Sequence, residues 1–231
     1  MKRRRSYIAL FLLCASVVWA QSRPPKAINI SAESHHSLVF SNGAVQIFKL
    51  QLQPNEVTAF HHHDRPYVYL SLHTAEIANE VPGHPPVITD LGPLQLRSSH
   101  GGFSVAERNI SAAPVEIWVV EPVRSSGPGF VQPLGAFEYH DAAIAELSDG
   151  PSMRVYAMTI AAGGRVASHA ETYGRVFLAA SNLQLRETVA GQSPAQVEMK
   201  TGEARWLAAS SSYSVENLGS SPADFIVFEF N

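Results

Sequence analysis

The chain has 231 residues, 17 of them basic and 20 acidic, and a formal net charge of −3. That balance argues against nucleic acid as a partner, which requires a basic surface. The single cysteine, Cys14, excludes an internal disulfide framework and a zinc site built on cysteines.

Lys2, Arg3, Arg4 and Arg5 open the chain, the apolar run Tyr7 to Val18 follows, and Val18-Trp19-Ala20 supplies a cleavage site. Residues 1–20 therefore read as a signal peptide. The apolar run is about twelve residues, against the roughly twenty that span a bilayer, so the expectation is no membrane insertion after cleavage. Cys14 falls inside this segment, and Phe11-Leu12-Leu13 lack the small residues of a lipoprotein signal. The expected location is secreted or periplasmic. Cleavage removes four of the 17 basic residues and none of the 20 acidic ones, which leaves a net charge of −7.

Beyond the signal segment the pattern is one of short strands. Phe48, Leu50 and Leu52 alternate with Lys49, Gln51 and Gln53, the period of two that a strand with one buried face produces. Strand-like runs recur at Tyr67 to Leu72, Val115 to Val120, Arg154 to Ile160, Arg175 to Ala180 and Asp224 to Phe230. Asn42-Gly43, Pro54-Asn55, Pro82-Gly83, Pro85-Pro86, Gly163-Gly164 and Leu218-Gly219 supply turns between them. Thr74 to Thr89, with Pro82, Gly83, Pro85 and Pro86, reads as a loop. Pro122 to Ala136, rich in Gly, Pro and Ser, reads as a linker. Asp141 is placed to cap a short helix over Ala142 to Leu147.

The second half repeats the first. At a fixed shift of 108 residues, without insertion, Asn109, Pro114 and Glu121 fall on Asn217, Pro222 and Glu229. His61 falls on His169, Tyr69 on Phe177, Leu70 on Leu178, and Phe48, Leu50 and Leu52 on Tyr156, Met158 and Ile160. Two tandem units follow, over residues 24–123 and 137–231.

The segment Pro54-Asn55-Glu56-Val57-Thr58-Ala59-Phe60-His61-His62-His63, followed by strand, loop, strand and a segment around Asn109, resembles the cupin superfamily. In that pattern an apolar strand and a Pro/Gly turn precede a His-x-His pair, and a second motif ends in His, three residues, Asn. The resemblance occurs once per unit. It implies an all-β fold of two tandem cupin double-stranded β-helix (jelly-roll) barrels, a bicupin with degenerate metal-binding motifs.

The resemblance also implies a metal held by two His from His-x-His, a Glu four residues later and a His from the second motif. Residues two apart on a strand point the same way, so His61 and His63 face one side and His62 the other. Neutral imidazoles suit zinc, iron, copper or nickel. Tyr67 stands where the pattern has Glu, and Val105 where it has the last His. The N-terminal barrel thus offers His61 and His63 to one divalent transition metal, with Tyr67 or Glu107 as the candidate third ligand. In the C-terminal barrel the same positions are His169, Glu171, Arg175 and Tyr213. Arginine has no lone pair to give and opposes a cation, so these four read as a metal-free ligand pocket in which Arg175 pairs with Glu171, either structural or binding an anionic or hydroxylated small molecule.

Trp118, inside an apolar run, reads as core, and Trp206 as core or as a stacking surface. Asn109 and Asn217 read as turn formers. The leading functional expectation is a non-catalytic or small-ligand-binding exported bicupin with decayed metal sites. The second is a metal-dependent small-molecule enzyme of the oxygenase or isomerase type using His61 and His63. The third is a carbohydrate-binding or sugar-modifying module. The expected partner is a small molecule, and homo-oligomerisation is left open.

Overall fold

The computed structural model describes residues 26–124, 129–134 and 137–231. The expected signal peptide, 1–20, and linker residues 125–128 and 135–136 lie outside the described residues. The described chain is all-β apart from short 3-10 turns; the cap of the one at Ile30–Ala32, Asn29, accepts from the Ser31 N–H at 3.0 Å. Among the described residues no helix is long and apolar enough to cross a membrane.

Ten strands come from the first half: β1 (Ile28–Asn29), β2 (His36–Ser41), β3 (Val45–Leu52), β4 (His61–His62), β5 (Tyr67–Ser71), β6 (Ala75–Glu80), β7 (Val87–Leu91), β8 (Arg97–Ser99), β9 (Ser104–Asn109) and β10 (Val115–Pro122). They form two sheets, β1-β4-β9-β6-β7 and β2-β3-β10-β5-β8. The second half contributes β11 (Tyr139–Asp149), β12 (Met153–Glu171), β13 (Gly174–Ala179), β14 (Leu183–Val189), β15 (Ala195–Met199), β16 (Ala204–Leu207), β17 (Ser210–Asn217) and β18 (Ala223–Phe230). These join in one curled sheet, β15-β14-β17-β12-β18-β13-β16, with β11 on β12.

The ladders repeat at the shift read from the sequence. Val115 pairs with Leu52 and Ala223 with Ile160; Ile77 pairs with Asn109 and Leu185 with Asn217; His61 pairs with Val105 and His169 with Tyr213. One difference is local. β12 runs unbroken where the first half has β3 and β4, because Pro54, which has no N–H to give a ladder, is replaced by Ala162. The next position is left-handed in both, Asn55 at φ 68° and Gly163 at φ 73°, and both residue types tolerate it.

The period-two alternation sorts side chains as expected. Phe48, Leu50, Leu52, Ile117 and Val119 face into the first barrel with Tyr67 and Ile77. The opposite faces of β3, β5 and β10 are also buried. Val45, Ile47, Val68, Leu70, Trp118 and Val120 pack against Val155, Val176, Leu178, Ile226 and Phe228 of the second half. This back-to-back packing explains why β10 and β18 read as near-continuous apolar runs: each is covered on both sides. Trp118 is core, and Trp206 lies at the seam, stacked on Phe40 at 5.8 Å and 17°.

Two expectations are corrected. Ala142 to Leu147 is not a helix but part of β11, because Ala142 and Ile144 gain burial against the second core by pairing with β12. Asp141 is the bulge residue of that strand, at φ 50°, seated over Gly164, where a Cβ would come within 2.5 Å of its carbonyl oxygen. Thr74 to Thr89 is not one loop but the hairpin β6–β7, since Ala75 and Ile77 bury their side chains in the first core.

Candidate metal centre

His61 and His63 both end up inside the first barrel, 0% and 2% exposed, while His62 points away and is half-buried. β4 holds His61 by pairing antiparallel with β9 and parallel with β1, and His63 follows directly after it. A third imidazole joins them that the sequence reading did not single out. His36 heads β2, opposite the inward-facing Leu50, and its ring centroid lies 4.7 Å from that of His61 and 6.3 Å from that of His63. Glu107, on β9, places Oε2 at 3.5 Å from His61 Nε2 and 3.7 Å from His36 Nε2. The donor atoms of His36, His61 and Glu107 all lie within 4.8 Å of one another.

The nitrogen on the far side of each ring is committed. His36 Nδ1 lies 2.9 Å from Glu33 Oε2, His61 Nδ1 lies 3.0 Å from the Ala59 carbonyl, and His63 Nδ1 lies 2.7 Å from Glu121 Oε1. Carbonyl and carboxylate oxygens only accept, so Nδ1 donates in each case and Nε2 is left with its lone pair. Burial, the largest influence, pushes the His61 pKa below its ordinary 6.5 and keeps that ring neutral. At Glu33 burial pulls the pKa upward, yet hydrogen bonds from His36, His35 and Ala59 hold the carboxyl well below the usual range. The second shell is thus set as a metal site requires.

Nε2 of His36, His61 and His63 and Oε2 of Glu107 are all buried without a hydrogen-bond partner. An orphaned buried polar atom costs on the order of 1–3 kcal/mol, and four in one barrel repel one another besides. A cation shared between them removes both costs. The donor set, three imidazoles and a carboxylate, fits a divalent transition metal.

Of the two candidate third ligands, Glu107 faces the imidazoles. Tyr67 instead lies face-on against the His63 ring, centroids 4.0 Å apart at 19°. Its pKa is raised by burial, the largest cause, which opposes the phenolate a ligand would need.

In the C-terminal half the shift turns His36 into Ile144 and Glu107 into Val215, so two donors become hydrocarbon. His169, Glu171, Arg175 and Tyr213 are brought together. Glu171 pairs with Arg175, which is 1% exposed, and places Oε1 at 2.5 Å from His169 Nε2. The Arg175 guanidinium lies 4.3 Å from the Tyr213 ring centroid. A permanent internal cation stands in this barrel and occupies the Glu171 carboxylate that a metal would otherwise use.

The sequence reading missed His36 because it sought the fourth ligand in the second motif, at Val105. The signal available was a His at the head of an alternating strand. Its carboxylate, Glu33, lies three residues earlier, a spacing no motif marks.

No family model matches the sequence, and no curated protein matches it. Solved structures do. AerE from Microcystis aeruginosa is similar at a TM-score of 0.60 and 15% identity, over 85% of this chain and 97% of that one. Salicylate 1,2-dioxygenase from Pseudoaminobacter salicylatoxidans gives 0.58 and 13%, over 81% and 68%. Bacillus subtilis oxalate decarboxylase, described with Mn(II) centres, gives 0.58 and 10%, over 92% and 79%. The chain has the cupin fold.

Proposed function

We propose that the N-terminal barrel binds one divalent transition metal through His36, His61 and Glu107, with His63 as a fourth ligand, and that the protein is a metal-dependent small-molecule enzyme of the oxygenase, decarboxylase or isomerase type. The observation that carries this reading is the convergence of the His36, His61 and Glu107 donor atoms, within 4.8 Å of one another inside one barrel and without hydrogen-bond partners, with His63 Nε2 likewise buried and partnerless. It favours the second sequence-based expectation over the first, which counted only two dependable ligands. The oxygenase and decarboxylase among the structural neighbours are compatible with it.

A divalent metal bound there supplies Lewis acidity and an open position for substrate. The chain's own residues do the rest. Glu33, the Ala59 carbonyl and Glu121 hold the three imidazoles in the tautomer that presents Nε2. Phe48, Leu50, Ile117 and Val119 wall the interior with hydrocarbon and exclude water. Tyr67 packs on His63 and fixes its ring plane. Glu107, less buried than the imidazoles, marks the side from which a substrate enters.

The C-terminal barrel is read as a metal-free partner, its centre occupied by the Glu171–Arg175 pair. Residues 24–123 and 137–231 are read as two barrel domains, and the segment 1–20 as the signal that exports them to a secreted or periplasmic location.

The test is metal content. Protein expressed without a polyhistidine tag should carry close to one equivalent of iron, manganese, zinc, nickel or copper. His36→Ala, His61→Ala and Glu107→Ala should each abolish it, whereas Glu171→Ala should leave it unchanged. A wild-type protein that stays metal-free when offered each of these ions would sink the reading.

A further inference from the structure

The metal centre leaves one charged group of the first barrel unexplained. Arg97, on β8, is the ladder partner of Tyr69 on β5. Partners directly opposite in a ladder project from the same face, and on β5 that face carries Tyr67, part of the inner core, with Tyr69 packed against it. Arg97 is exposed, so it stands at the rim of the barrel rather than in its depth. Among the described residues no carboxylate lies within ion-pair distance of it.

The C-terminal barrel shows what an arginine at this position holds. Arg205, 108 residues after Arg97, pairs with Phe177 in the same register. Its Nη1 donates to Glu187 Oε2 at 2.5 Å. Glu187 is 2% exposed, and its other oxygen accepts from the Tyr213 hydroxyl at 3.1 Å. In the N-terminal barrel the shift turns Glu187 into Asn79 and Tyr213 into Val105. Asn79 is uncharged, and its amide donates to the Val87 carbonyl and Thr89 Oγ1. The barrel with the donor cluster thus keeps the arginine but lacks the internal carboxylate that its copy binds. Val105, where the second carboxylate contact would be, is the ladder partner of His61.

We propose that Arg97 binds the carboxylate of a small organic acid, which takes in the N-terminal barrel the place that Glu187 fills in the C-terminal one. The planar guanidinium matches a carboxylate in a two-point hydrogen-bonded pair. Asn79, at the position of Glu187, is the ladder partner of Glu107, so the rest of the acid extends toward His36, His61 and Glu107. This names the substrate class of the site described above and rests on that reading.

The experiment uses the full-length, untagged protein. Its metal content is measured, and acetate, succinate and benzoate are each titrated by calorimetry against the matched amides. At least one acid should bind, with an affinity on the order of tenfold to a hundredfold above its amide. Arg97→Met should remove that difference while metal content and Tm stay at their wild-type values, and Arg97→Lys should restore part of it. Acids and amides that bind alike, an Arg97→Met protein that binds the acid as wild type does, or no binding of any acid would overturn the proposal. Arg97-dependent acid binding by a protein without metal would support it while refuting the metal centre, so the two failures are distinguishable.

Discussion

Asn109 and Asn217 make the same three hydrogen bonds 108 residues apart. Asn109 donates to the carbonyls of Leu52 and Ala113 at 3.1 and 2.9 Å and accepts from the Ser111 N–H at 2.8 Å. Asn217 donates to Ile160 and Ser221 at 2.9 and 2.8 Å and accepts from the Gly219 N–H at 2.9 Å. Both are buried, so truncation leaves backbone groups without partners. Asn217→Ala is expected to cost about 2–4 kcal/mol, from two or three orphaned groups. Urea denaturation measures it, and a loss within experimental error would show that these amides do not hold the turns.

The repeat was legible in the sequence because its carriers are backbone-determining: an Asn that ties a turn, a left-handed position, and strands alternating in and out. The metal centre was only half legible. His61 and His63 lie two residues apart in extended chain, so period two aligns them, and Glu107 was legible only as one of two candidate third ligands, whereas His36 arrives from a strand that no motif marks. The helix expected after Asp141 failed for a related reason. Alanine propensity is a local and weak preference, and β11 gains an entire edge of pairing with β12.

Chelation should destabilise the protein as well as empty it. Metal that binds only the folded state adds about 2.7 kcal/mol at a free concentration 100 times its Kd. Removing it restores the repulsion among four buried donor atoms. Thermal unfolding with and without EDTA should therefore show a lower Tm for the chelated protein, restored by added metal. His36→Ala should unfold at a temperature indifferent to EDTA.

Glu121 is expected to act through His63. Glu121→Leu removes the acceptor of the Nδ1 proton, so the ring loses its fixed tautomer and orientation. Loss of such an outer partner typically lowers metal affinity about 10- to 100-fold. Competition with a chromophoric chelator reads this directly. An unchanged affinity would mean that His63 orients without Glu121, or does not ligate.

Mild acid should weaken the metal-free protein. Burial, the largest influence on each, holds His61 and His169 below the ordinary 6.5. Below that pH the unfolded chain binds protons that the folded one refuses, so stability is full above about pH 6.5 and falls as pH drops through it. The depressed carboxyl of Glu33 acts in the same direction only below its ordinary 4.5. Urea midpoints of EDTA-treated protein should therefore decline between pH 6.5 and 5, and His169→Gln should lessen the slope. A flat profile across that window would contradict neutral, desolvated imidazoles.

In the C-terminal barrel the guanidinium of Arg175 compensates the buried carboxylate of Glu171. Arg175→Met leaves that carboxylate 5% exposed and without its cation, which is expected to cost about 3–5 kcal/mol. The double variant Glu171→Leu/Arg175→Met replaces the pair with hydrocarbon and should recover most of the loss, since a buried ion pair scarcely outweighs its own desolvation. A double-mutant cycle by urea denaturation measures the coupling, and two single costs that simply add would refute it. His169, with Nε2 at 2.5 Å from Glu171, is the remaining group able to supply positive charge. Once Arg175 is gone its pKa should rise, because the guanidinium that lowers it is absent and the uncompensated carboxylate favours the imidazolium. The Arg175→Met penalty should accordingly be smaller at pH 6 than at pH 8, and a penalty that stays the same or grows toward acid would mean that no proton is taken up to compensate the carboxylate.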